Sequence, residues 1–108
     1  MTWVVETLNA TVDAEVDALP SDMRAQLARI SFLITEFGLA QMREPHVKHL
    51  QGPLWEMRLR GRSGISRALY VAAVGQRVVI VRVFVKKTQK TPSREIDIAL
   101  NRAREVLP

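Results

Sequence analysis

Val81-Arg82-Val83-Phe84-Val85-Lys86-Lys87-Thr88-Gln89-Lys90-Thr91-Pro92 runs from a strand through a cation cluster to a helix start. Together with Val79, the valines at 81, 83 and 85 alternate with the two-residue period of a strand, and their β-branched side chains suit a buried one. Three lysines follow within five positions, and Thr91-Pro92 is expected to open a helix. Thr91 can cap it, and Pro92 suits a first turn, where no backbone donor is needed. Helix N-termini carry unpaired N–H groups and partial positive charge, so lysines just before one suit a phosphate. The other reading is a solvated basic turn that ends an edge strand and blocks aggregation. Taken alone, the segment slightly favours the second reading; the rest of the chain reverses the balance.

Upstream of it, Leu54-Trp55-Glu56-Met57-Arg58-Leu59-Arg60 alternates cleanly, with Trp55, Met57 and Leu59 on one face and Glu56, Arg58 and Arg60 on the other. Gly61-Arg62-Ser63-Gly64 is turn material. Ile65 to Val74 is apolar on both faces and so reads as a central strand. Arg67 stands out within it, because a guanidinium there needs a partner, an anion or a cleft open to water. Gly75-Gln76 reads as a two-residue hairpin turn into the strand from Arg77 to Val85. Downstream, Ile96, Ala99, Leu100, Ala103 and Leu107 form the apolar stripe of a closing helix. The meander brings Glu56, Arg58, Arg60, Arg67 and the lysines after Phe84 to one side, the facing of Arg67 depending on register.

The N-terminal part reads as a short strand, Trp3-Val4-Val5-Glu6, and two helices. Asn9 or Thr11 can cap the first, with Val12, Val16 and Leu19 inward and Asp13, Glu15 and Asp17 on a solvated face. Pro20 starts the second, whose stripe is Met23, Leu27, Ile30, Ile34 and Phe37, and Gly38 stops it. Met23 and Phe37 are expected in the core. Residues 39–53 read as a connector. It holds His46 and His49, which lack an evident third metal ligand and read as exposed surface, although an imidazole there can serve acid–base chemistry. The expected fold is α+β, a single domain over 1–108: N-terminal strand, helical hairpin, three-stranded antiparallel meander and C-terminal helix.

Length and charge narrow the partners. A chain of 108 residues closes one core. Residues 1–53 carry four Lys/Arg against seven Asp/Glu, and residues 54–108 carry twelve against four. A basic face built by the C-terminal half points to nucleic acid or to an acidic protein. The absence of cysteine rules out a disulfide framework and thiolate zinc sites. No apolar run is long enough for a bilayer span and the N-terminus lacks the pattern of a signal peptide, so the expected location is the cytoplasm, without membrane contact.

Leu54-Trp55-Glu56-Met57-Arg58, Arg67-Ala68-Leu69-Tyr70, and Phe84 to Pro92 with Glu95-Ile96 and Ala99 resemble the HigB-like, phage-derived branch of the RelE/ParE toxin superfamily. The resemblance covers roughly residues 20–108, and its most specific part is the lysine-rich segment before Pro92. It implies the toxin of a type II toxin–antitoxin pair: a ribosome-dependent mRNA endoribonuclease that arrests translation and is neutralised by a cognate antitoxin, here expected to be of the helix-turn-helix type. Arg58 and Arg67 match the family's basic strand positions. Lys87, with Lys86 beside it, matches the basic position that ends the last strand. Glu56 falls where some relatives have lysine and others an acid. RelE itself uses a tyrosine in its C-terminal segment; this chain has none after Tyr70.

Those residues suit phosphodiester cleavage by the neighbouring 2′-OH, which needs a base, cations around the phosphate and an acid for the leaving oxygen. Arg58 and Arg67 suit the phosphate, and Lys86 or Lys87 the acid. Glu56 is either the base or an ion-pair partner that holds the arginines. Arg60, Arg62, Lys90 and Arg94 are expected to bind RNA. Trp55, Tyr70 and Phe84 read as core before they read as stacking platforms. No metal, cofactor or small-molecule ligand is called for. A ParE-like gyrase inhibitor and a non-catalytic nucleic-acid-binding module are the alternatives.

Overall fold

The computed structural model describes residues 2–42, 46–86 and 90–108. In chain order the elements are β1 (Val4–Thr7), α1 (Ala10–Asp17), α2 (Ser21–Phe37), a 3₁₀ turn (Leu39–Gln41), β2 (Val47–Gln51), β3 (Leu54–Gly61), β4 (Gly64–Ala73), β5 (Arg77–Lys86) and α3 (Ser93–Ala103). One five-stranded sheet has the order β1-β5-β4-β3-β2, with β1 parallel to β5 and every other pair antiparallel. The α+β architecture expected from the sequence is therefore present, and β4 is the central strand.

Two apolar layers sandwich the sheet. On one face Val12 of α1 and Met23, Leu27, Ile30 and Ile34 of α2 pack on Met57, Leu59, Ala68, Tyr70, Val78, Ile80 and Val83. On the other, Ala99 and Ala103 of α3 pack on Leu54, Leu69, Val71, Val79 and Val81. Fully burying each large aliphatic side chain is worth roughly 1.5–3 kcal/mol, so helices with modest propensity are held by their inward stripes. Asn9 caps α1, its side chain accepting from Val12 N–H at 3.1 Å. Gly38 ends α2 at φ 89°, a conformation few residues other than glycine adopt. Phe37 is exposed instead of joining the core: the buried stripe of α2 ends at Ile34.

Four further expectations change. The connector over 39–53 contains β2, an edge strand that makes the meander four-stranded. The hairpin between β4 and β5 is a three-residue loop, Val74 to Gln76, with Gly75 and Gln76 both at positive φ. The valines of β5 do not share a face. Leu69 pairs with Arg82 and Tyr70 with Ile80, so Val81 is an extra residue, a bulge. Past it the alternation inverts: Val79 and Val81 face α3, while Val83 faces α2.

Glu15, expected on a solvated face, is the fourth. β1 stops covering the edge of β5 at Ile80, so the next outward-facing backbone groups need other partners. Glu15 Oε1 accepts from Val83 N–H at 3.0 Å, and Arg102 donates to the Val81 carbonyl at 2.9 Å. Arg82 and Arg102 each lie 2.8 Å from Glu15 Oε2, and Arg82 also reaches Glu95 at 2.7 Å. One carboxylate thus ties α1, the bulge and α3 together. Glu15→Ala is expected to lower the unfolding free energy by about 2–4 kcal/mol, because two half-buried guanidiniums and a backbone donor lose their acceptor. Glu15→Gln should lose less. Urea titration checks this, and a loss below about 0.5 kcal/mol for the alanine variant would mean that the network behaves as surface ion pairs do.

Candidate functional site

The α3 face of the sheet carries a row of cations around one carboxylate. Period-two alternation puts Glu56, Arg58 and Arg60 on the face opposite Met57 and Leu59, as the sequence suggested. The ladder settles Arg67: it pairs with Arg58 across β3 and β4, on the same face. Like charges directly opposite one another repel, and Glu56 resolves the conflict. Its Oε2 lies 3.3 Å from Nε of both Arg58 and Arg67. The contact to Arg58 is a hydrogen bond; that to Arg67 is within ion-pairing range but lacks hydrogen-bond alignment. Glu56 and Arg67 are 2% and 4% exposed.

The other carboxylate oxygen anchors the helix. Thr91 donates its hydroxyl to Glu56 Oε1 at 2.7 Å. Among the described residues no side chain caps α3, so Thr91 does not act as its cap, contrary to expectation. Pro92 occupies the cap position, and its carbonyl accepts from Glu95 and Ile96 N–H.

Lys86, at the end of β5, pairs with Ile65 and shares the face of Arg67. It is 8% exposed. Burial pulls its ammonium below the ordinary lysine range, and the charges of Arg67, Arg58 and Lys48 lower it further while Glu56 opposes them. Arg67 is lowered too, first by burial and then by Arg58 and Arg60, against Glu56. Arg60 is exposed beside them. Arg62 lies in the β3–β4 turn, where its backbone N–H donates to Asp22 at 2.7 Å, beyond the row. Lys90 and Arg94 are exposed at the start of α3 and line a cavity of about 660 Å³ with Gln51, Thr91, Pro92 and Ile96. Lys87 lies outside the described residues.

Three aromatics were candidates for base stacking. Phe84, the ladder partner of Arg67, is partly buried on the site's face. Tyr70 is buried on the α2 side, and Trp55 lines an apolar cavity of about 380 Å³ there with Trp3, Leu39, Met42 and Val47. His49 pairs with Trp55 in the ladder and stacks edge-on against it at 5.1 Å, so it faces away from the arginines. His46 precedes β2, and its carbonyl accepts from Arg58 N–H at 2.9 Å. Among the described residues no three His, Asp or Glu side chains converge as metal ligands, and no helix is long and apolar enough to cross a membrane.

Sequence reasoning missed Lys48. It pairs with Glu56 across β2 and β3 and so stands on the same face as the arginines. The alternation of Val47, Lys48 and His49 was the available signal, obscured by the flanking Pro45, Gly52 and Pro53.

Two expectations follow from this geometry. Thr91→Val leaves one oxygen of a buried carboxylate without its donor and should cost about 1–3 kcal/mol of stability, with Thr91→Ser close to wild type. Between its lowered folded pKa and the ordinary 10.5, Lys86 binds fewer protons folded than unfolded. Its destabilising contribution is therefore complete below the lowered folded pKa and is relieved as pH rises from there towards 10.5. Urea midpoints measured across that interval should climb in the wild type relative to Lys86→Gln; parallel curves would contradict the burial of a charged Lys86.

The comparisons with known proteins concern the family and the fold. A family model described as phage-derived protein Gp49-like matches residues 14–104. Among solved structures the chain is similar to E. coli toxin RelE, in a double arginine mutant in the free state, with a TM-score of 0.63 at 17% identity over 94% of this chain and 98% of that one. At that identity the likeness shows a shared fold. No curated protein matches the sequence.

Proposed function

The chain belongs to the phage-derived Gp49-like family, and from that premise we propose that it is a RelE-like toxin of a type II toxin–antitoxin pair that cleaves mRNA on the ribosome. The observation that carries the reading is the pair of arginines, directly opposed across β3 and β4 and held by one buried carboxylate with a buried lysine beside them. A cation cluster of this kind suits an anion with several oxygens, and a guanidinium grips two oxygens at once.

In the proposed reaction the 2′-OH attacks the adjacent phosphorus and the 5′-oxygen leaves. Arg58 and Arg67 hold the non-bridging oxygens, whose charge grows in the pentacovalent transition state. Lys86 protonates the leaving oxygen; a lowered pKa makes an ammonium a better acid at neutral pH. Glu56 acts as the clamp on the arginines rather than as base, since Thr91 takes one of its oxygens and the arginines share the other. The hydroxyl proton then passes to water or to a group supplied by the ribosome, which also aligns the message in line for attack. Arg60, Lys90 and Arg94 hold flanking RNA, Arg62 is a peripheral contact, and Lys87, next in sequence to Lys86, is proposed as a further phosphate ligand. The work takes place in the cytoplasm, and a cognate antitoxin of helix-turn-helix type silences it. Nanomolar affinity is expected for that partner, because a roughly micromolar complex would leave much toxin free.

Programmed ribosomes and the same message free in solution test the reading. Rapid cleavage is expected on ribosomes and little on free RNA at physiological salt, where basic side chains alone hold RNA weakly. Arg58→Ala, which removes a partly exposed member of the clamp, should slow single-turnover cleavage by about 10²–10³-fold and relieve growth arrest. The wild-type rate should fall as pH rises through the lowered pKa of Lys86, because the acid must be protonated, and Lys86→Arg should move that fall to higher pH. DNA-damage signalling without message cleavage would instead mark a gyrase inhibitor, and neither response a passive binder.

A further inference from the structure

We infer that Lys48 is a substrate-binding residue of this site that holds the phosphate next to the one cleaved, so that the substrate strand runs diagonally over β2 to β5 instead of along one of them. The inference rests on the reading of the site as an RNA-cleaving centre. Its placement comes from the ladder. Lys48 stands opposite Glu56, Val47 before it is buried on the α2 side, and Leu50 after it packs with the α3-side core. Lys48 therefore projects from the face that bears the arginines.

Its charge is not consumed there. Both oxygens of Glu56 are engaged, one by Thr91 and the other by Arg58 and Arg67. Among the described residues no carboxylate lies within ion-pairing distance of Lys48, and the residue is exposed. It is still near enough to weigh on the titration of Lys86. The cations thus cross the sheet one strand at a time: Lys48 on β2, Arg58 on β3, Arg67 on β4 and Lys86 on β5. Three strand spacings of about 4.8 Å, with a register offset from the level of Glu56 to that of Arg60 at about 3.3 Å per residue, set the two ends of this diagonal row roughly 20 Å apart along the backbone, wider than one phosphate group. Arg58 and Arg67, each 3.3 Å from one oxygen of Glu56, can share a single phosphate with Lys86 close enough to feel their charge, and Lys48, at the β2 end, is left for its neighbour in the chain. A lysine on an edge strand also guards against strand-to-strand aggregation, and the test must separate the two roles.

Full-length protein is titrated with a short 2′-O-methyl oligoribonucleotide, which cannot be cleaved, and anisotropy is followed as salt rises. Lys48→Gln should weaken binding about 3–10-fold and lower the slope of log K against log salt by about 0.7, the share of one phosphate contact on a single strand. Lys48→Arg should restore both, and Arg29→Gln on the exposed side of α2 should change neither. On programmed ribosomes Lys48→Gln should raise the half-saturating concentration by a similar factor at an unchanged maximal rate. Wild-type protein that fails to cut messages but binds through Lys48 removes the nuclease reading and upholds the phosphate contact. An unchanged slope overturns the inference, whether or not the variant self-associates, as does an oligonucleotide that wild-type protein does not bind.

Discussion

A carboxylate buried in a protein must be paired and hydrogen-bonded, because leaving it alone costs several kcal/mol. Glu56 meets that demand with two arginines and a threonine, and the site follows from it. The arginines would repel each other across the β3–β4 ladder without the carboxylate between them. With it, they are fixed side by side with positive charge to spare. The same carboxylate holds Thr91, so the start of α3 is tied to the sheet at the point where the cations gather. Lys86 is buried beside them, and burial first, then the charge of Arg67, depresses its pKa. A single buried acid thus sets the spacing of the phosphate-binding groups and the docking of a helix.

A second acid does similar work at the other end of α3. The bulge at Val81 inverts the facing of the residues after it. Val83 then joins the α2 core, while Phe84 and Lys86 join Arg67. Without the bulge Lys86 would point to the α2 side, away from the arginines. Bulges next to active sites commonly re-aim a side chain in this way. Glu15 and Arg102 complete the interrupted backbone bonding, so the stability of that edge and the position of the site's lysine have a common origin.

Much of this was legible from residue pattern. The clean alternation around Glu56 and Arg58, the doubly apolar strand around Arg67 and the Gly38 stop each follow from local physics, and the structure repeats them. The facing of Arg67 and its partnership with Glu56 needed the register, which only pairing supplies. The valines from 79 to 85 misled because one extra residue inverts a two-residue period and leaves no mark in a run of apolar side chains. β2 was hidden by its brevity and by prolines and glycine nearby, and Lys48 was hidden with it. Thr91 looked like a cap because sequence shows a hydroxyl before Pro92 but not the buried acceptor across the sheet. Glu15 looked solvated because the helical stripe says which face is apolar, not which polar residue meets a neighbour.

The fold is that of RelE, and the family is the phage-derived Gp49-like one. Fold alone does not fix chemistry; the proposed chemistry stands on whether Arg58 and Arg67 act as one clamp. Single-turnover cleavage on programmed ribosomes by Arg58→Ala, Arg67→Ala and the double variant measures this directly, with folding confirmed by circular dichroism. A clamp that works as a unit predicts strong non-additivity: the double variant should cut little more slowly than the slower single variant. Losses that multiply would contradict the shared clamp, and wild-type rates in all three variants would remove these arginines from the reaction.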